Sequence, residues 1–149
     1  MFSVTADAPV LLEIHEEHER LEILIAELKW VLLKPSDTHL SIMKELMDEL
    51  SDLLQEHFAH EEEGGYFDEL VEMQPTVSTR VERLRQEHRQ MLAAVANMIR
   101  QLRHADSTPL WFAVIGVEFT DFVQRCEAHQ HEENRLVLDG YLRDVGEGD

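Results

Sequence analysis

Two stretches of this chain carry the same apolar pattern around a histidine, and that duplication constrains the fold more than any other feature of the sequence. With His18 and His88 as origins, the positions seven and four residues earlier are Leu11 and Ile14, then Val81 and Leu84. The positions three, seven, ten and fourteen residues later are Leu21, Ile25, Leu28 and Leu32, then Met91, Val95, Met98 and Leu102. Such offsets line one face of an α-helix. A glutamate, Glu17 or Glu87, precedes each histidine. The intervening stretches repeat as well. With His57 and His129 as origins, Met47 and Leu50 match Phe119 and Phe122, Leu54 matches Cys126, and Glu61 matches Glu133 four residues on. A helical hairpin therefore occurs twice.

Proline, glycine and capping residues divide the chain into four periodic stretches. Asp7 with Pro9 reads as an N-cap and a first-turn proline, and the first pattern stops at Lys34-Pro35-Ser36-Asp37. The second runs from Thr38 to Glu63, where Gly64-Gly65 interrupts it; Tyr66 to Met73 reads as an extension beyond a kink. Gln74-Pro75-Thr76 opens the third and Ser107-Thr108-Pro109 the fourth. The expected helices span 8–33, 38–63 with extension to 73, 76–104 and 109–143. Connections this short place successive helices antiparallel. The fold class is all-α, an up-down-up-down four-helix bundle, with residues 1–149 as one domain.

The formal charge of −18 removes several functions from consideration. A nucleic-acid binder needs a basic footprint, and an anionic membrane surface would repel this chain. Acidity of this kind keeps a protein soluble. A single cysteine, Cys126, rules out an internal disulfide, and no basic leader or long apolar span is present. The expected location is the cytoplasm.

Four histidines, one per helix, lie on the four apolar seams: His18, His57, His88 and His129. One histidine on an apolar face is ordinarily a satisfied core residue. Here the four also share a height. His18 lies fifteen residues before Leu33 and His57 nineteen after Thr38; the second hairpin gives sixteen, from His88 to His104, and twenty, from Pro109 to His129. At about 1.5 Å of rise per residue these levels agree to roughly a turn. His57/Glu61 and His129/Glu133 each put an imidazole and a carboxylate on one helix face. Two ionised carboxylates in a core call for a buried cation. Six ligands of mixed nitrogen and oxygen type exceed a tetrahedral zinc site and suit a dinuclear centre.

This arrangement, with His57-Phe58-Ala59-His60-Glu61-Glu62-Glu63-Gly64-Gly65-Tyr66 and the pairs Glu17-His18 and Glu87-His88, resembles the hemerythrin or HHE cation-binding family over about residues 10 to 143. The resemblance implies two non-haem iron ions, with zinc or manganese as substitutes. His18 and His57 would hold one, His88 and His129 the other, and Glu61, Glu133 and an oxygen species would bridge them. It also implies a small ligand such as O2, bound for transport, storage or sensing. The chain departs from oxygen carriers at two points. Leu84 and Leu92 stand where a second helix-three histidine would be, and Asn134 where an aspartate would follow His129, leaving Glu133 to substitute. An enzyme acting on peroxide, nitric oxide or ferrous iron at the same site stays open, as does a structural bundle without metal. Ferritin-like di-iron sites use Glu-x-x-His, which none of the nine histidines here satisfies.

Several neighbouring residues compete with these six. His15 corresponds to Arg85 in the repeat, which favours His18 over it. His60 corresponds to Glu132, which suits a supporting place, and Glu62 and Glu132 are the fallback carboxylates. His39, His104 and His131 read as solvated. Cys126, Trp30, Trp111, Phe112, Phe119 and Phe122 read as packing residues, and Gly116 as a point of close helix approach.

Overall fold

Hydroxyl caps and prolines set the helix starts that matter for the site. Ser36 Oγ accepts from the His39 amide at 3.0 Å and opens the second helix. Thr108 Oγ1 accepts from the Trp111 amide at 3.3 Å, with Pro109 in the first helical position. The computed structural model describes the backbone of residues 4–147 and the side chains of residues 12–139. Its elements are α1 (Val4–Leu32), α2 (Asp37–Glu62), a short α3 (Tyr66–Met73), a 3₁₀ turn (Pro75–Val77), α4 (Ser78–Leu102) and α5 (Pro109–Glu147). No strand occurs among the described residues.

The fold is an all-α four-helix bundle. α1 packs on α2, α2 on α4, α4 on α5, and α5 closes the ring on α1. Most of the length is filled by an apolar core that includes Leu28, Met43, Met47, Leu50, Val95, Met98, Ile115 and Phe119. A smaller cluster of Ile14, Tyr66, Phe67, Leu70, Val77, Val81, Leu84 and Leu136 fills one end. That end is closed by α3, which touches all four long helices.

Several expectations change in detail. α1 begins at Val4, so Asp7 and Pro9 lie inside the helix rather than at its start. Leu11 lies outside the described side chains. α3 is a separate helix and not a kinked extension of α2. Gly65 adopts φ +93°, a left-handed conformation that a side chain resists, and a Cβ on Gly64 would lie 2.3 Å from the His60 carbonyl oxygen. The two glycines turn the chain back over the bundle end. Gly116 makes no close helix approach, since a Cβ there would meet nothing. Trp30 lies on the surface at 63% exposure, resting on the His39 ring. His39 itself is not simply solvated: its Nδ1 reaches the Lys34 and Val31 carbonyls at 2.6 and 3.2 Å and closes the end of α1.

The repeat is also not symmetric. In α4 the buried stripe runs through Val81, Leu84, His88, Met91, Val95, Met98 and Leu102, on the expected offsets. In α1 it runs through Ile14, Glu17, Leu21, Leu24, Leu28 and Val31. Three offsets are shared, but α1 adds the positions one residue earlier, and Ile25 and Leu32 become only partly buried. α1 is thus turned about its axis relative to α4. The turn sinks Glu17 and lifts His18.

Candidate metal centre

Between the two apolar clusters the four long helices bring six side chains together. The carboxylates come from α2 and α5. Glu61 and Glu133 are 0% and 1% exposed. Glu61 Oε1 lies 3.3 Å from His57 Nε2 and 3.2 Å from His88 Nε2. Glu133 Oε1 lies 2.6 Å from His129 Nε2 and 3.7 Å from His88 Nε2, while its Oε2 lies 3.7 Å from His18 Nε2. Three of the four carboxylate oxygens lie close to imidazole nitrogens, yet none of the four receives an aligned hydrogen bond. Their lone pairs converge on the space between the helices.

The donor atoms fall into two overlapping groups. His18, His57, Glu61 and Glu133 form one, and Glu61, His88, His129 and Glu133 the other; within each, donor atoms lie inside 4.8 Å of one another. The two carboxylates belong to both. All six residues named from the sequence are therefore brought together. His15 is not: it points to solvent and pairs with Glu19 at 3.1 Å. Glu132 turns outward to Arg80 at 2.8 Å. Cys126 is buried nearby, and burial pushes its thiol up to about 12, so it packs as a neutral group.

A second ring of carboxylates orients the imidazoles. Glu17 accepts from His57 Nδ1 at 3.0 Å, Glu62 from His88 Nδ1 at 2.8 Å and Glu87 from His129 Nδ1 at 2.8 Å. The second Glu17 oxygen accepts from His60 Nδ1 at 2.7 Å, which gives His60 the supporting place expected of it. A carboxylate on Nδ1 fixes the proton there and leaves Nε2 with its lone pair inward. The Nε2 atoms of His88 and His129 then face each other at 3.0 Å. Two such lone pairs repel unless a cation or proton lies between them. The sequence signal for this ring was available in Glu17 and Glu87, each beside a histidine, but each supports the histidine of the neighbouring helix. Spacing along one helix does not reveal that pairing.

The electrostatics tell the same story of charge in need of compensation. Burial, then the adjacent Glu133, pushes Glu61 well above the usual carboxylate range. Burial acts on Glu133 in the same direction, but His129, His88 and Glu61 outweigh it and hold Glu133 below that range. Burial, then His57, lowers His18 to about 4, and burial lowers His57 against the pull of Glu17. For His129, Glu133 and Glu87 overcome burial and raise it. Aromatic rings complete the site. Phe58 stacks on His88 at 3.8 Å and 8°, with Phe67 on the same ring at 5.3 Å. Tyr66 is buried, and burial with the charges of Glu133 and Glu61 pushes its phenol well above the usual range.

A family model, the hemerythrin HHE cation binding domain, matches residues 11–139. The chain belongs to the hemerythrin HHE family. No curated protein and no solved structure gave a match. The family's cation-binding character agrees with the two donor groups, whose buried carboxylates and inward imidazoles suit metal ions. Among the described residues no helix is long and apolar enough to cross a membrane.

Proposed function

We propose that this HHE domain binds two metal ions, iron when iron is available, and uses them to bind O2 or a related small ligand for transport, storage or sensing. His18 and His57 would hold one ion and His88 and His129 the other, with Glu61 and Glu133, common to both donor groups, serving both. One observation carries this reading: two pairs of imidazole nitrogens converge on the same two buried carboxylates, whose four oxygens have no aligned hydrogen bond. The facing Nε2 atoms of His88 and His129, 3.0 Å apart, are close enough for both to reach one ion. The mixed nitrogen and oxygen donor set suits iron, with zinc and manganese able to occupy it. Iron there would supply two linked redox centres with coordination positions left for an exogenous ligand.

A second reading keeps the site and makes it an enzyme acting on peroxide, nitric oxide or ferrous iron. Leu84, fully buried where a further nitrogen would serve the His88/His129 ion, favours it. Tyr66, kept protonated beside the carboxylates, is a hydrogen-bond donor at hand in either case. Metal analysis after anaerobic reconstitution with ferrous iron, with optical spectra before and after air, tests the proposal. The expected result is two ions per chain and a spectrum that changes with air and reverts when oxygen is removed. One ion or fewer sinks the dinuclear reading; a change that never reverts favours turnover.

A further inference from the structure

Although the hairpins repeat, the supports of His18 and His88 do not. Two supports of His88, Glu62 and Phe58, have counterparts seventy-two residues further along on α5, and one of these, Asn134, lines a cleft with His18. Glu62, which accepts from His88 Nδ1 at 2.8 Å, corresponds to Asn134. Phe58, stacked on His88 at 3.8 Å, corresponds to Gln130. Among the described residues no carboxylate reaches His18 Nδ1; the carboxylate within 4 Å of its ring nitrogens is Glu133, at 3.7 Å from Nε2. The His18 side chain is 15% exposed, against 1% for His88, 4% for His57 and 5% for His129. A cleft of about 540 Å³, lined by His15, His18, Tyr66 and Asn134 among others, leads to it from solvent. His88, 1% exposed, has Phe58 and Phe67 stacked on its ring.

Both differences act on the metal in one direction. A carboxylate on Nδ1 raises the basicity of the imidazole and fixes its ring, and losing such a partner typically weakens metal binding about 10- to 100-fold. An open cleft admits water and competing ligands, which speeds exchange. We propose that the two metal positions are unequal: the His88/His129 position retains its ion, the His18/His57 position exchanges its ion readily, and Asn134 in place of a carboxylate is the residue that makes it so. This inference rests on the dinuclear reading. It gives the domain a half-loaded state, and so a response to the supply of the metal itself.

The experiment loads the protein anaerobically with ferrous iron and follows its withdrawal by excess chromogenic ferrous chelator. The parent should release two ions in two phases of equal amplitude, with rates at least about tenfold apart. Asn134 is exposed, so Asn134→Glu is well tolerated; it should slow the fast phase about tenfold and leave the slow phase within about twofold. Glu62→Gln should speed the slow phase about tenfold. His18→Ala should keep only the slow phase. Release of two ions in a single phase overturns the inference while leaving the dinuclear site intact, as does an Asn134→Glu fast phase equal to the parent's. Release of only one ion from fully reconstituted parent removes the dinuclear reading and this inference with it.

Discussion

The first hairpin and the second carry the same histidines and glutamates but bury them differently. In α4 the histidine sits at the centre of the buried stripe and the preceding Glu87 reaches in from the rim at 33% exposure. In α1 the glutamate is the buried one, Glu17 at 4%, and His18 sits beside the cleft. Similar ligand positions thus arise from helices presented at different rotations. A motif defines which residues can meet; helix rotation decides which of them are held, and how firmly.

The largest effects should come from the residues that the hairpins share. Glu61→Ala and Glu133→Ala each remove a donor from both groups, so each should drive the stoichiometry from two ions toward none. His57→Ala and His129→Ala should leave one. Metal analysis after reconstitution decides it, and a bridge variant that keeps one full ion would mean that the carboxylates serve the hairpins separately. Next in size is the test of rotation in α1. His18→Ala should lose one ion, whereas His15→Ala, at an exposed position paired with Glu19, should match the parent. The reverse result would mean that α1 is turned the other way.

The rotation explains what was and was not legible in the sequence. In α4 the offsets one residue earlier than Val95 and Leu102 carry Ala94 and Gln101, so only one seam is strongly apolar and its burial could be read directly. In α1 both flanks are apolar: Leu24 and Val31 on one, Ile25 and Leu32 on the other. Periodicity defines a wide stripe there and leaves its centre open, and packing against α2 and α5 selects Leu24 and Val31. The helix count, the antiparallel order and the gathering of six inward side chains were legible because each rests on spacing within one helix or on short connections. The supporting ring was not, since Glu17, Glu62 and Glu87 act across helices. Nor was the separation of α3, which depends on the backbone of Gly64 and Gly65.

Proton competition should divide the hairpins by a smaller margin. Burial holds His18 near 4 and lowers His57 below the ordinary imidazole value, so both enter metal binding neutral at pH 7. His129 is raised by Glu133 and Glu87, and Glu61 by burial and Glu133, so each must shed a proton before an ion can bind. The sign follows: Glu61 release should raise affinity at both positions as pH climbs, and the His88/His129 position should gain further as pH rises through the raised His129 value before levelling off. Calorimetric titrations in buffers of different ionisation enthalpy, from pH 5.5 to 8, measure the release. Glu61→Gln should lower the proton count. A parent that releases no protons on binding would break this division of the two hairpins.

The finest test compares the supporting glutamates themselves. Glu17 is buried and accepts from both His57 and His60, at 3.0 and 2.7 Å. Glu87, one-third exposed, accepts from His129 alone, because the residue that corresponds to His60 is Glu132, turned away to Arg80. Replacing either by glutamine keeps shape and removes charge. Exchange with water softens the loss at the exposed position, where solvent can still satisfy the ring nitrogen. Glu17→Gln leaves two imidazoles short of a charged acceptor, one of them enclosed in the core. Its loss of metal affinity should therefore approach the upper end of the roughly 10- to 100-fold range for such partners, and that of Glu87→Gln the lower end. Competition against a chelator of known strength at pH 7.5 measures both on one scale. Equal losses would mean that rotation of α1 leaves the energetics of support unchanged, and a larger loss for Glu87→Gln would place the stronger support on the second hairpin.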